Sequence, residues 1–141
     1  VFLELGTAVA FDAGILVGEV LDVMDNEGPV AVLDVSATCH MPDILEAPYR
    51  PALRDECLGG QAVRLGGPSC LAGDVIGTYG FDALPQAGDR LAFLDQAHYS
   101  MVKTTTFNGV RLPALAIWNS DTDALRMVRT FDYADFEGRL S

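Results

Sequence analysis

The chain has 141 residues, half of them hydrophobic, which is enough to bury one real core. Its formal charge is −11 at pH 7, from nine basic and twenty acidic side chains, which argues against nucleic acid or an anionic membrane surface as a partner. Cys39, Cys57 and Cys70 are odd in number and irregularly spaced. They do not read as a disulfide framework, and a reducing cytoplasmic setting is expected.

The chain opens on Val1-Phe2-Leu3-Glu4-Leu5, an apolar run without an initiator Met. It predicts a buried strand ending at Gly6, entered in mid-element, with residues missing upstream. No basic region of a signal peptide precedes it, and no apolar run is long enough to span a bilayer. Ala8 to Leu16 is small and apolar, and is either a short helix or extended, because periodicity cannot decide over that length. Leu16 to Met24 and Val30 to Ser36 read as a hairpin around Asp25-Asn26-Glu27-Gly28-Pro29. Met41 to Pro51 holds three prolines, so a loop with one irregular turn is predicted.

Further strands are expected at Ala62–Leu65, Asp74–Tyr79, Asp89–Leu94, Val110–Trp118 and Leu125–Phe131, most of them bounded by Gly, Pro, Asn or Asp. Many short strands with turn signals between them predict a mainly β fold, a barrel or paired sheets. Asp132 to Leu140 reads as a terminal helix with Asp132 as N-cap and Asp135 three residues on.

Chemistry concentrates in Gly66-Gly67-Pro68-Ser69-Cys70-Leu71-Ala72-Gly73-Asp74, a tight turn carrying a thiol and a carboxylate. It is either a site presented on a stiff loop or a turn around a buried, inert cysteine. Cys39-His40 with Asp43 lacks a second Cys or His at ligand spacing, so no metal site is expected. Cys70, His98 and several Asp supply the residue types of a hydrolase triad without its geometry. Ala97-His98-Tyr99-Ser100 and Thr104-Thr105-Thr106-Phe107-Asn108-Gly109 form a second polar region. Its hydroxyls suit a phosphate or carboxylate, or else their own backbone. Lys103, the only lysine, reads as a structural or surface charge.

Four segments carry a family resemblance: Leu3-Glu4-Leu5-Gly6 with Asp12-Ala13-Gly14; Ala37-Thr38-Cys39-His40-Met41-Pro42-Asp43 through Pro48-Tyr49-Arg50-Pro51; Ser69 to Asp74; and Ala97 to Gly109. The chain resembles the C-terminal part of the PLP-dependent decarboxylases that pair an alanine-racemase-like (fold-type III) TIM barrel with a β-domain. Diaminopimelate and ornithine decarboxylases are in that group. The second and fourth segments resemble its carboxynorspermidine/carboxyspermidine branch, of polyamine biosynthesis.

The resemblance implies pyridoxal 5'-phosphate as cofactor, a homodimer with shared active sites, and a cationic, polyamine-like carboxylated substrate. Glu4 would pair with the pyridine nitrogen of the cofactor and Tyr99 would bond its phosphate. Cys70 would be the catalytic residue, protonating the carbanion in the neighbouring subunit's site. Asp74 would bind the substrate's amine or position the loop, Glu46 and Asp43 would hold the distal amine, and Phe107 would pack on the substrate chain. Leu5, Thr7 and Leu71 depart from the wider family, which bears on substrate detail. Residues 1–14 would be the end of the cofactor barrel and its connection, and residues 15–141 the β-domain. The barrel would supply the Schiff-base lysine, so this chain alone is expected to be inactive. A diaminopimelate- or ornithine-type decarboxylase, and a non-catalytic β-domain used for binding or dimerisation, are the other readings.

Overall fold

The computed structural model describes residues 1–3 and 5–140. Its elements run α1 (Gly6–Ala10), β1 (Leu16–Asp25), β2 (Pro29–Leu33), α2 (Ala37–His40), α3 (Asp43–Glu46), β3 (Gln61–Gly66), β4 (Val75–Phe81) and β5 (Arg90–Phe93). A second series follows: α4 (Tyr99–Val102), β6 (Leu115–Asn119), β7 (Ala124–Arg129) and α5 (Tyr133–Glu137). Five strands form one sheet in the order β4-β3-β2-β1-β5, and β6-β7 form a separate two-stranded sheet. The mainly β expectation holds, in one five-stranded sheet and one separate, largely exposed two-stranded sheet.

Alternation explains the core. In β3, Val63 and Leu65 point inward while Arg64 faces out. Val20 of β1, Ala31 and Leu33 of β2, and Phe93 of β5 meet them in one apolar cluster. β4 contributes Ile76 and Tyr79, which strict alternation would place on opposite faces. A bulge resolves this. Leu65 pairs with Gly77 but Gly66 pairs with Val75, so Ile76 is the extra residue and the pleat is reset there. The buried Tyr79 hydroxyl donates to the Pro51 carbonyl at 2.9 Å, and burial pushes its pKa up to about 12.

β1 and β2 form the predicted hairpin, but β2 and β3 are parallel. A parallel pair needs a long crossover, and here it runs from Asp34 to Gly60 and carries α2 and α3. The C-terminal ends of β2 and β3 therefore lie side by side. The first turn of the crossover consequently stands next to the β3–β4 loop, residues 67–74. This topology assembles the site.

Among the described residues, no strand forms at Val1–Leu5, where one is expected. Val1, Phe2, Leu3 and Leu5 lie outside every strand and are exposed, and Glu4 lies outside the described residues. A strand needs a hydrogen-bonded neighbour, and no described strand pairs with this segment. The next segment resolves to α1 and a turn. Ser36, expected at a strand end, is the N-cap of α2. The irregular turn among the prolines is α3, and α5 carries the expected Asp132 cap with a full capping box from Asp135.

Candidate functional site

Asp74 organises the β3–β4 loop from beneath. It is 4% exposed, so its carboxylate must find donors inside the protein. It accepts from the Ser69 N–H at 3.0 Å, the Thr38 N–H at 3.1 Å and the Ser36 hydroxyl, whose oxygen lies 2.9 Å from both carboxylate oxygens. Burial pushes its pKa up, but the donor groups of Ser69, Thr38 and Ser36 outweigh burial and hold it below the ordinary carboxylate value. Gly67 is required here, since a Cβ at that position would overlap the carboxylate.

Ser36 joins this network to the helix behind it. Its hydroxyl accepts the Cys39 N–H at 3.0 Å, the usual N-cap bond, and its own N–H donates to His40 Nδ1 at 3.1 Å. With Nδ1 accepting, His40 carries its proton on Nε2 and donates to the Arg111 carbonyl at 3.1 Å. Burial lowers its pKa, only partly offset by the Arg111 bond. Both nitrogens of His40 are thus committed to the frame.

Cys70 rides above Asp74 on the loop and is exposed, which decides against a buried, inert thiol. Its N–H donates to Asn108 Oδ1 at 2.9 Å. Asn108 belongs to a 3-10 turn, Phe107–Gly109, held on α2 from the other side. The Thr105 N–H reaches the Cys39 carbonyl at 2.9 Å, and the buried Cys39 thiol lies 3.5 Å from the Phe107 carbonyl. Cys70, Asp74 and the backbone of Phe107 are therefore brought onto one frame, with the Phe107 ring half exposed.

Asp43 and Glu46 form a second group beside it. Both sit on α3, and Lys103, just after α4, bridges them at 2.7 Å and 2.5 Å. Hydrogen bonding to Asp43, then to Glu46, holds the Lys103 ammonium above its ordinary pKa. That ammonium also lies 5.0 Å from the centre of the Tyr99 ring, a cation–π contact. Tyr99 is 59% exposed and Glu46 60% at its side chain, whereas Asp43 is mostly covered at 15%. Asp43, Glu46 and Tyr99 thus share one lysine, which the sequence reading set aside as a structural or surface charge. His98 turns away toward Asp95, its Nε2 3.7 Å from that carboxylate. Ser36 and Asn108 escaped the sequence reading. The signal for Ser36 was a hydroxyl just before a strand-to-helix change. Asn108 lies inside the polar Thr104–Gly109 stretch, where nothing local marks it apart from its neighbours.

This arrangement can present a thiol on a fixed loop, and a separate acidic and aromatic group gathered around Lys103. Residues 7–97 match the family described as pyridoxal-dependent decarboxylase, C-terminal sheet domain. The chain belongs to this family. Among curated relatives it is 49% identical over 142 residues to a carboxyaminopropylagmatine decarboxylase of Synechocystis, covering 98% of this chain and 36% of that protein. It is 42% identical over 153 residues to a carboxynorspermidine/carboxyspermidine decarboxylase of Campylobacter jejuni, covering 99% of this chain and 40% of the relative. A crystal structure of the Campylobacter jejuni carboxynorspermidine decarboxylase complexed with norspermidine superposes with a TM-score of 0.89 at 40% identity, over 95% of this chain and 40% of that one. The chain thus spans 36–40% of the length of these relatives. No described helix is long and apolar enough to cross a membrane.

Proposed function

We propose that this chain is the β-domain of a PLP-dependent decarboxylase of polyamine synthesis, acting on carboxynorspermidine or carboxyspermidine. The observation that carries the reading is the 0.89 TM-score match, across nearly the whole chain, to the decarboxylase crystallised with norspermidine. Residues 1–14 would continue from the cofactor barrel, and residues 15–141 form the β-domain. The exposed apolar side chains of Val1, Phe2, Leu3 and Leu5 support that continuation. The enzyme would be a cytoplasmic homodimer whose sites are shared between subunits.

The residues present suit the cofactor in part. Tyr99 stands open at 59% exposure, so its phenol is free to meet a phosphate oxygen. Glu4, the expected partner of the pyridine nitrogen, lies outside the described residues. When bound, PLP supplies an electron sink for the pair released as CO2 leaves. The chain's own contribution is the Cys70 thiol, which delivers a proton from Sγ to the carbon that lost CO2. Of the two roles expected for Asp74, the committed carboxylate favours positioning the loop over binding an amine. The Asp43–Glu46–Lys103 cluster carries one net negative charge, which suits a cationic arm, and Phe107 offers an apolar face for a methylene chain.

The 49% identity to the Synechocystis relative favours a second reading, carboxyaminopropylagmatine as substrate, whose guanidinium tail the same acidic cluster would accept. Decarboxylation assays on the full-length enzyme would compare kcat/KM for carboxynorspermidine, carboxyspermidine, carboxyaminopropylagmatine and diaminopimelate. The first reading expects the two carboxylated triamines to lead by at least tenfold, the second expects carboxyaminopropylagmatine to lead, and preference for diaminopimelate overturns both.

A further inference from the structure

We propose that Asn108 is the positioning residue of the Cys70 thiol. This rests on the reading of Cys70 as the proton donor and extends it to a residue not expected in the site. Asn108 adopts φ 59° and ψ 15°, a left-handed conformation that asparagine tolerates better than most side chains, and Gly109 follows with φ 72°. This turn brings the Asn108 carboxamide back toward the cysteine loop. Its oxygen takes the Cys70 N–H at 2.9 Å, and only the oxygen of a carboxamide can accept.

The loop is thereby held at two consecutive amides, one from within the loop itself and one from a separate segment. Ser69 N–H is held from below by Asp74, and Cys70 N–H from the side by Asn108. The second pin sits on a rigid support, because Thr105 and Phe107 are bonded to Cys39 of α2. Cys70 itself is exposed, so its side chain takes its direction from the backbone that carries it. Removing the Asn108 bond leaves Asp74 and the loop's base intact while freeing the residue that carries the thiol.

The test uses the full-length holoenzyme with Asn108→Gly, which keeps the left-handed turn and removes the acceptor. Asn108→Asp keeps both. Two rates are read without reference to each other: kcat, and alkylation of Cys70 by iodoacetamide, corrected with Cys70→Ala. The proposal expects Asn108→Gly to change the alkylation rate at least threefold and lower kcat about three- to tenfold with KM nearly unchanged, and Asn108→Asp to restore both. Unchanged alkylation overturns the proposal, whatever kcat does. Altered alkylation with a parental kcat upholds the positioning and removes Cys70 from proton delivery. Should Asn108→Gly not fold, Asn108→Ser, with its shorter side chain, takes its place under the same criteria.

Discussion

Two carboxylate sites stand at one end of the same sheet, and they are held in opposite ways. Asp74 is buried and surrounded by neutral donors on its own chain segment, on α2 and on the N-cap serine. Asp43, mostly covered, and Glu46, exposed, share one ammonium at the edge of the surface. Neutral donors at fixed positions impose a shape, and the loop above Asp74 has one. A single flexible lysine supplies charge with little geometry, and it can be exchanged for another cation. The first arrangement suits holding a reactive group still. The second suits meeting a charged ligand.

The most severe way to break this contrast is Asp74→Asn. An isosteric change is usually mild, but here the new NH2 group would face donors. A loss of about 2–4 kcal/mol is expected, close to that of Asp74→Ala, together with loss of most turnover. Denaturant unfolding of the full-length enzyme checks it, and a fully stable Asp74→Asn would show that the carboxylate is not charged in place. Gly67→Ala attacks the same network by pressing a methyl group on the carboxylate. It should cost about 1–3 kcal/mol and lower kcat more than it raises KM.

Acidification sharpens the comparison. His40 and Asp74 both have depressed folded pKa values, so each binds protons more readily in the unfolded chain. Their stabilisation is complete above their unfolded values and is lost as pH falls. Stability should therefore begin to drop below about pH 6.5, the ordinary value of His40, and drop again in the Asp74 range below pH 3.8. Thermal unfolding from pH 8 to 5 should show the first slope, and a His40→Gln variant should lack it.

The smallest effect belongs to Lys103→Met. Loss of this partly exposed bridge between two carboxylates should change the melting temperature slightly in low salt, with the difference shrinking as salt is raised. KM for a cationic substrate should move several-fold in the same variant, because both carboxylates are released. An unchanged KM would separate Asp43 and Glu46 from the substrate.

The contrast also explains what was legible in the sequence. Strands showed themselves through apolar runs with Gly, Pro and Asp at their ends, so the hairpin and β3, β4 and β5 stand near their expected places. Cys70 stood out because its loop is dense in glycine. Local signals could not supply the parallel pairing of β2 and β3, and that pairing sets Ser36 beside Asp74, 38 residues away. Nor could they give the four-residue α2, too short to show a period. Val1–Leu5 differs for a related reason. Its composition fits a buried strand, but burial depends on a neighbour that no described strand provides.

The parallel crossover also carries a temporal consequence. The β1–β2 hairpin closes over a few residues, whereas Cys39 meets Phe107 across 68 residues and His40 meets Arg111 across 71. Contacts of such separation form late, because loop-closure entropy must be spent before they return any stabilisation. The nascent chain is therefore expected to acquire its hairpin well before its thiol is in place. Pulse-labelled hydrogen exchange during refolding would see amides of β1 and β2 protected first, and those of Thr38, Cys70 and Thr105 last.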